Sequence, residues 1–495
     1  MKNCFKYIMV FSLAFLLVSC EKGFLDVNTD PNNPALEVGT PQLMFPAAVA
    51  SSAGRIGAEY AIIGGMWSQF WTQSNAANQY KAYDQYNVTS TTAQYVWSEV
   101  FSGALNDYSY IINYAQENED WTYYLLGTVM NAYTYQIMVD FYDQVPYDEA
   151  FMGGDGNYSP VYNDGKYVYE QLIAQIKDAL SKDFSSSTNS VVGDEDFLFG
   201  GDVDSWKQFA NTLLLKMYLR MVYEDPTMAQ DGYSYVKNNG FGFLSTDAAM
   251  DVFEDSPGKS NPLYEYNFRQ LNVSTNLRAS YTFLSWMQEN GDPRIDKYYT
   301  PGAGGQLAMH QGTFGLSTTE LSPDDVSVAL VHATDPVYFI SAAESYFLQA
   351  EAYERFENGS GAKTSYEMGI EAAFAQTGID AAIAQSLYMD GGVYAYPDGD
   401  FESKLEAIIT QKWASLPGAH AFEAFFEKNR TGYPKTSTVF SDDASYIPGQ
   451  IVYPEGGITA GKFPMRLVFT DRESNTNPNT PAAVSFDTKV WWDVN

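Results

Sequence analysis

Cysteine is nearly missing from this chain of 495 residues: there are two, Cys4 and Cys20. A body with so few thiols builds no disulfide framework and no thiolate metal site. Histidine is scarce as well, and His310, His332 and His420 are scattered, with no HExxH and no pair at helical spacing, so an imidazole-based zinc site is excluded and each is read as structural. Neither GxSxG nor GxxxxGK[ST] occurs, and Gly302-Ala303-Gly304-Gly305 is a loop with no basic helix after it. Positive charge is the other deficit, 28 Lys and Arg against 61 Asp and Glu, for a net charge of −33. Nucleic acid is thereby excluded as a partner, because phosphates repel such a chain and no basic cluster offsets this locally. The runs Asp194-Glu195-Asp196 and Asp398-Gly399-Asp400 do not follow EF-hand spacing and read as solvated loops. No cofactor is expected, and a structural calcium ion is the only ion the acidic runs leave open.

The first twenty residues carry what charge and apolarity there is at that end. Lys2 and Lys6 precede an apolar run from Tyr7 to Val18, too short to span a bilayer, which is the pattern of an export signal. The run closes on Leu17-Val18-Ser19-Cys20, which resembles a bacterial lipobox and makes Cys20 the expected site of lipidation. Residues 1–19 are then removed with their two lysines, taking the charge from −33 to −35. Several acyl chains on one residue hold a protein on a membrane far more firmly than one, since each buried methylene adds about 0.8 kcal/mol.

Aromatic residues are abundant, 16% of the chain, with 38 Tyr, 31 Phe and 9 Trp. Most must fill helix interfaces. Tyr and Trp also suit a surface that is flat, apolar and able to hydrogen-bond, which is what a sugar ring with its C–H face and hydroxyl rim requires.

Periodicity predicts a mainly helical chain with no linker between domains. After an acidic, proline-bearing tether over 20–41, a first helix is expected from Gln42 to about Ser74, bending at Gly64-Gly65. Thr91–Gln116 and Asp120–Asp143 form an antiparallel hairpin, Val145–Ala150 (VPYDEA) breaks the pattern, and helices follow at about Gly165–Lys182 and Ser205–Tyr223, the latter capped by Asp202 or Asp204. From about Gly232 to Pro336 only Leu277–Gln288 reads as helix, so a loop-rich insertion is expected there. Val337–Phe356 and Ala362–Thr377 resemble a tetratricopeptide pair: Tyr346, Ala350 and Tyr353 face Ala362, Tyr366 and Gly369, small residues allowing close approach and aromatics filling the flanks. Phe401–Ser415 and Ala419–Asn429 make a hairpin bent at Leu416-Pro417-Gly418, and the C-terminal part reads as coil with short strands.

Six landmarks in this order resemble the SusD/RagB-like nutrient-binding outer-membrane lipoproteins of the Bacteroidetes: the lipobox, Val145–Ala150, Gly200–Met221, Tyr338–Arg355, Gln411–Pro434 and Phe463–Pro478. Phe469-Thr470 stands where that family has Tyr-Pro, and Glu427-Lys428-Asn429-Arg430 departs from its usual double arginine. The resemblance implies a tetratricopeptide-like scaffold with irregular repeats over about 91–225 and 337–430, an insertion over about 232–336, and a single domain over 42–495. It also implies a cell-surface protein, lipid-anchored in the outer membrane, that captures an oligosaccharide or peptide and passes it to a TonB-dependent SusC-like transporter without catalysis. A surface glycoside hydrolase is the alternative, because sequence alone cannot exclude a facing carboxylate pair. Candidate ligand residues pair aromatics with polar groups near helix ends: Trp71, Asn75, Asn78 and Tyr80 after the first helix, and Trp286, Arg294 and Tyr298 in the insertion.

Overall fold

The computed structural model describes residues 39–273, 275–315 and 321–494. The export signal and Cys20 lie outside them. Among the described residues, thirteen helices of seven residues or more carry the fold: α1 Pro41–Arg55, α2 Ala61–Trp67, α3 Asn106–Glu117, α4 Trp121–Tyr142, α5 Gly165–Leu180, α6 Val203–Arg220, α7 Pro226–Asn238, α8 Tyr281–Glu289, α9 Ala342–Phe356, α10 Ala362–Gln376, α11 Ala381–Tyr388, α12 Phe401–Ala414 and α13 Phe422–Thr431. The architecture is the expected mainly α, tetratricopeptide-like one.

Helix α4 is the axis. Of its residues only Trp121 is not buried, because α3, α5 and α6 pack on it from different sides. Gly127 lets α3 come close: a Cβ there would lie 3.0 Å from Ile111 Cγ2. The α9–α10 pair is built the same way, with Gly369 facing the Phe347 ring at 2.7 Å from a notional Cβ and Ala350 fully buried. The turn between them uses Gly359 and Gly361 at φ +79° and +92°.

A fully buried ionic cluster joins the two halves of the scaffold. Lys216 and Arg220 of α6, Lys412 of α12 and Arg430 of α13, with Arg355 at the edge, face Asp140 of α4, Glu344 and Glu351 of α9, and Glu423 and Glu427 of α13. Five cations thus meet five carboxylates. Representative contacts are Lys216–Glu423 at 2.8 Å, Arg220–Glu427 at 2.6 Å and Arg430–Glu351 at 2.6 Å. Such a cluster adds little net stability but makes its members interdependent, since losing one leaves its partner charged in a medium of low polarity.

Short strands stitch the insertion to the N-terminal helices. β1 Trp71–Gln73, β5 Leu277–Ala279, β7 Val328–Ala329 and β6 Tyr299–Thr300 form an antiparallel sheet in that order, Trp71 opposite Ala279 and Tyr299 opposite Ala329. β2 Val145–Pro146 pairs with β3 Tyr162–Asn163, and β4 Ala248–Met250 with β8 Val337–Ile340.

Three expected elements change at their ends, and one helix was not expected. The first helix does not reach Ser74: it stops at Trp67, Gln69 turns at φ +58°, and Trp71 begins a strand. Leu277–Gln288 divides into β5 and α8, and Val337–Phe356 into β8 and α9, the latter because the run Val337–Ile340 fits a buried strand as well as a helix turn. Ser341 marks the second division, its hydroxyl accepting the Glu344 amide at 3.1 Å. Helix α7, which weak periodicity hid, starts at Pro226 under an Asp225 cap that accepts the Met228 amide at 3.0 Å.

Candidate functional site

A cavity of about 400 Å³ opens where the insertion meets the α12–α13 corner. Its aromatic lining comes from separate parts of the chain: Trp71 on β1, Tyr298 ahead of β6, and Tyr338 on β8. Trp71 is placed by glycine. A Cβ on Gly65 would lie 2.4 Å from Trp71 Cε3, so the bare backbone of α2 is what lets the indole fold back against it. The Trp71 carbonyl also accepts from Gln311 Nε2 at 3.2 Å. Tyr298 donates its hydroxyl to the Ala414 carbonyl at 3.1 Å, fixing its ring at the end of α12.

His420 forms the floor of the cavity beneath Tyr338, the two rings 5.1 Å apart and 29° from parallel. It is 2% exposed, and burial, reinforced by the cations of Lys216 and Lys412, drives its pKa down to about 3. The ring is therefore neutral. Its Nδ1 is buried and has no hydrogen-bond partner among the described residues. The Leu416-Pro417-Gly418 bend brings His420 here, with Gly418 at φ +120°. The corner is seated on α2, where a Cβ on Gly64 would lie 2.1 Å from Phe422 Cα. The rim is polar: Asp296, Lys297, His332, Asp335 and Gln376 all border the opening.

Of the residues singled out from sequence, Trp71 and Tyr298 share this cavity and the others are elsewhere. Asn75 donates to the Leu321 carbonyl at 2.8 Å, and Asn78 is exposed away from the lining. Tyr80 is buried and donates to Asn267 Oδ1 at 2.9 Å. Trp286 is sandwiched between Tyr394 at 5.5 Å and Phe283 at 6.2 Å, both near parallel. Arg294 is fully buried, paired with Asp292 at 2.6 Å and lying 4.5 Å above the Phe374 ring. These three are held by the protein's own groups, and for each a partner that periodicity does not register lies far along the chain: Asn267 for Tyr80, Tyr394 for Trp286 and Phe374 for Arg294. Tyr338 and His420 were missed because one sits in a run read as helix and the other was read as structural.

The acidic runs are also internally engaged. Asp196 accepts Trp206 Nε1 at 2.7 Å and the Gly201 amide at 2.9 Å, and Asp400 caps α12 through the Ser403 amide at 3.0 Å. Among the described residues no group of three His, Cys, Asp or Glu is placed to hold a metal ion, and no helix is long and apolar enough to cross a membrane.

A SusD-like family model described as "Starch-binding associating with outer membrane" matches residues 31–454. The chain belongs to the SusD-like family. The solved structure of a chitin-binding protein superposes with a TM-score of 0.74 at 21% identity, covering 92% of this chain and 100% of that one. A chitin-binding SusD homologue from Flavobacterium johnsoniae gives 0.71 at 23% identity, covering 91% and 98%. A SusD homologue from Bacteroides uniformis gives 0.71 at 22%, covering 91% and 99%. At these identities the likeness is one of fold. No curated protein matches the sequence.

Proposed function

We propose that this SusD-like chain is a lipid-anchored protein of the outer cell surface that binds an oligosaccharide in the Trp71–Tyr298–Tyr338 cavity and delivers it, unchanged, to a TonB-dependent transporter. The observation that carries the reading is the pairing of an aromatic lining with a neutral His420 and a polar rim. Stacking on aromatic faces holds the C–H side of a sugar ring, and uncharged groups that accept or donate serve its hydroxyls without the cost of desolvating an ion. The family's association with the outer membrane and two chitin-binding neighbours in fold support the ligand class.

Calorimetry with maltohexaose and chitohexaose tests it. One of them is expected to bind, and Trp71→Ala is expected to weaken that binding at least tenfold, the loss of a buried aromatic anchor. Binding of peptides with no binding of any oligosaccharide would move the reading to peptide uptake.

A second reading has one observation in its favour: Asp296 and Asp335 both border the cavity, and two carboxylates are what a glycosidase requires. Each is engaged elsewhere, Asp335 with the His332 amide at 2.7 Å and Asp296 with Gln306 Nε2 at 2.8 Å. Prolonged incubation with the bound hexaose is expected to release no new reducing ends.

A further inference from the structure

The VPYDEA segment, which marks the family but takes no part in the cavity above, closes over a second cavity of about 290 Å³. The two share no residue. Its walls are Tyr135 of α4, Tyr147 of the segment and Phe151 just after it, the two tyrosine rings meeting edge to face at 5.1 Å. Its polar groups are Ser109 and Asn113 of α3, Asn131 of α4 and Gln175 of α5. The decisive residue is Asn131. It is 6% exposed on the central helix, and its carboxamide, reachable from the cavity it lines, makes no hydrogen bond to another described residue. A carboxamide that meets no protein group and reaches the cavity is free to donate and accept there.

The segment is built in advance. Val145–Pro146 is laddered to Tyr162–Asn163, and Asn163 Oδ1 accepts the Tyr147 and Asp148 amides at 3.2 and 3.1 Å. Glu149 accepts the Val161 amide at 3.1 Å and Asn157 Nδ2 at 3.0 Å, while Phe151 sits at φ +65°. Tyr135 donates to the Pro146 carbonyl at 3.2 Å, locking wall to loop. The one carboxylate at the site, Asp148, already accepts from Asn163 Nδ2 at 2.8 Å and from the Tyr167 hydroxyl at 3.2 Å.

We infer that this cavity is a second binding site for an uncharged, hydroxyl-bearing ligand, a sugar ring of the same glycan class, held by Asn131, Asn113 and Gln175 against the Tyr135–Tyr147–Phe151 wall. Carboxamides and a serine hydroxyl each donate and accept, which matches hydroxyls that do the same, and the aromatic wall matches the ring's C–H face. The volume lies at the small end for ligand pockets, roughly 300–1,000 Å³, so a short segment of a glycan fits and a long one does not. The inference rests on the proposed glycan reading for the class of ligand, and on Asn131 for the site.

The test is calorimetry of the full lipid-free chain with the hexaose that binds, comparing wild type, Trp71→Ala, and the exposed-residue variants Asn113→Ala and Gln175→Ala, which do not touch the core. Asn131→Leu is added, with its melting curve as a control for folding. Wild type is expected to show two classes of site. Trp71→Ala removes one, while Asn113→Ala and Gln175→Ala each weaken the other about tenfold, the effect of one lost hydrogen bond, and folded Asn131→Leu abolishes it. A wild-type isotherm of one class, lost wholly in Trp71→Ala and unchanged in Asn113→Ala and Gln175→Ala, overturns the second site and leaves the first standing. No oligosaccharide bound by wild type overturns the glycan reading itself, and trialanine displaced by Asn131→Leu would make the second site one for peptide backbone.

Discussion

Asp84 shows how far a single residue can depart from its ordinary chemistry beside the main cavity. It is fully buried next to β1, accepting from Thr72 at 3.0 Å and from the Gln73 amide at 3.1 Å, with Gln311 bridging it to the Trp71 carbonyl. Burial raises its pKa from 3.8 to about 7, the hydrogen bonds only partly opposing that rise. The folded chain therefore holds this proton more tightly than the unfolded chain. Its contribution to stability is complete below about pH 4 and is lost as pH rises through about 7. Urea unfolding of wild type and Asp84→Asn at several pH values isolates the effect: relative to the variant, wild type is expected to lose on the order of 4 kcal/mol between pH 4 and pH 8. A constant difference would remove Asp84 as the titrating group. His420 has the opposite sign, since a pKa pushed down to about 3 is stability present above the ordinary histidine range and lost on acidification.

At the scale of elements, glycine decides which helices can touch. Gly64 and Gly65 were legible as a place for close packing or a bend, and both contacts are real, yet neither partner was readable: one is the backbone of Phe422 and the other the ring of Trp71. Exposed on a helix, Gly→Ala stabilises by about 1 kcal/mol. Here the new methyl meets backbone at 2.1 Å, which cannot rotate away, so Gly64→Ala is expected to destabilise by about 3 kcal/mol in urea titrations and to loosen the corner carrying His420. The divided elements teach a related point. The Ser341-to-Glu344 capping pattern was present in the sequence, and heeding it would have ended the preceding run as a strand. Nothing comparable separates Leu277–Ala279 from α8, because pairing with Trp71–Gln73 and Val328 is what makes it a strand.

For the whole molecule, net charge, anchor and fold act together. A chain of charge −33 stays dispersed in solution, so the proposed attachment depends on Cys20. Cys20→Ser is expected to move the protein from the membrane fraction to the soluble fraction of the native cell, with loss of metabolic palmitate labelling; retention in the membrane would sink the lipid anchor. The interior charge cluster is equally a property of the whole, since its members come from α4, α6, α9, α12 and α13.

Residue order alone determined the helical class, the tetratricopeptide-like pairing and the family. The class and the pairing follow from spacing within one helix or hairpin, where side chains a few positions apart share a face whatever else the chain does, and the family rests on the resemblance carried by the six landmarks. Which aromatics line a cavity was decided only by the tertiary structure. Trp71 and Trp286 are both apolar rings near helix ends, but one borders an opening and the other is enclosed between Phe283 of its own helix and Tyr394, which is brought to it from elsewhere in the fold. Likewise, Arg294 looked free to meet a ligand until folding set it against Asp292 and Phe374. Burial and hydrogen-bond partnership depend on what arrives from distant sequence, and local pattern carries no record of it.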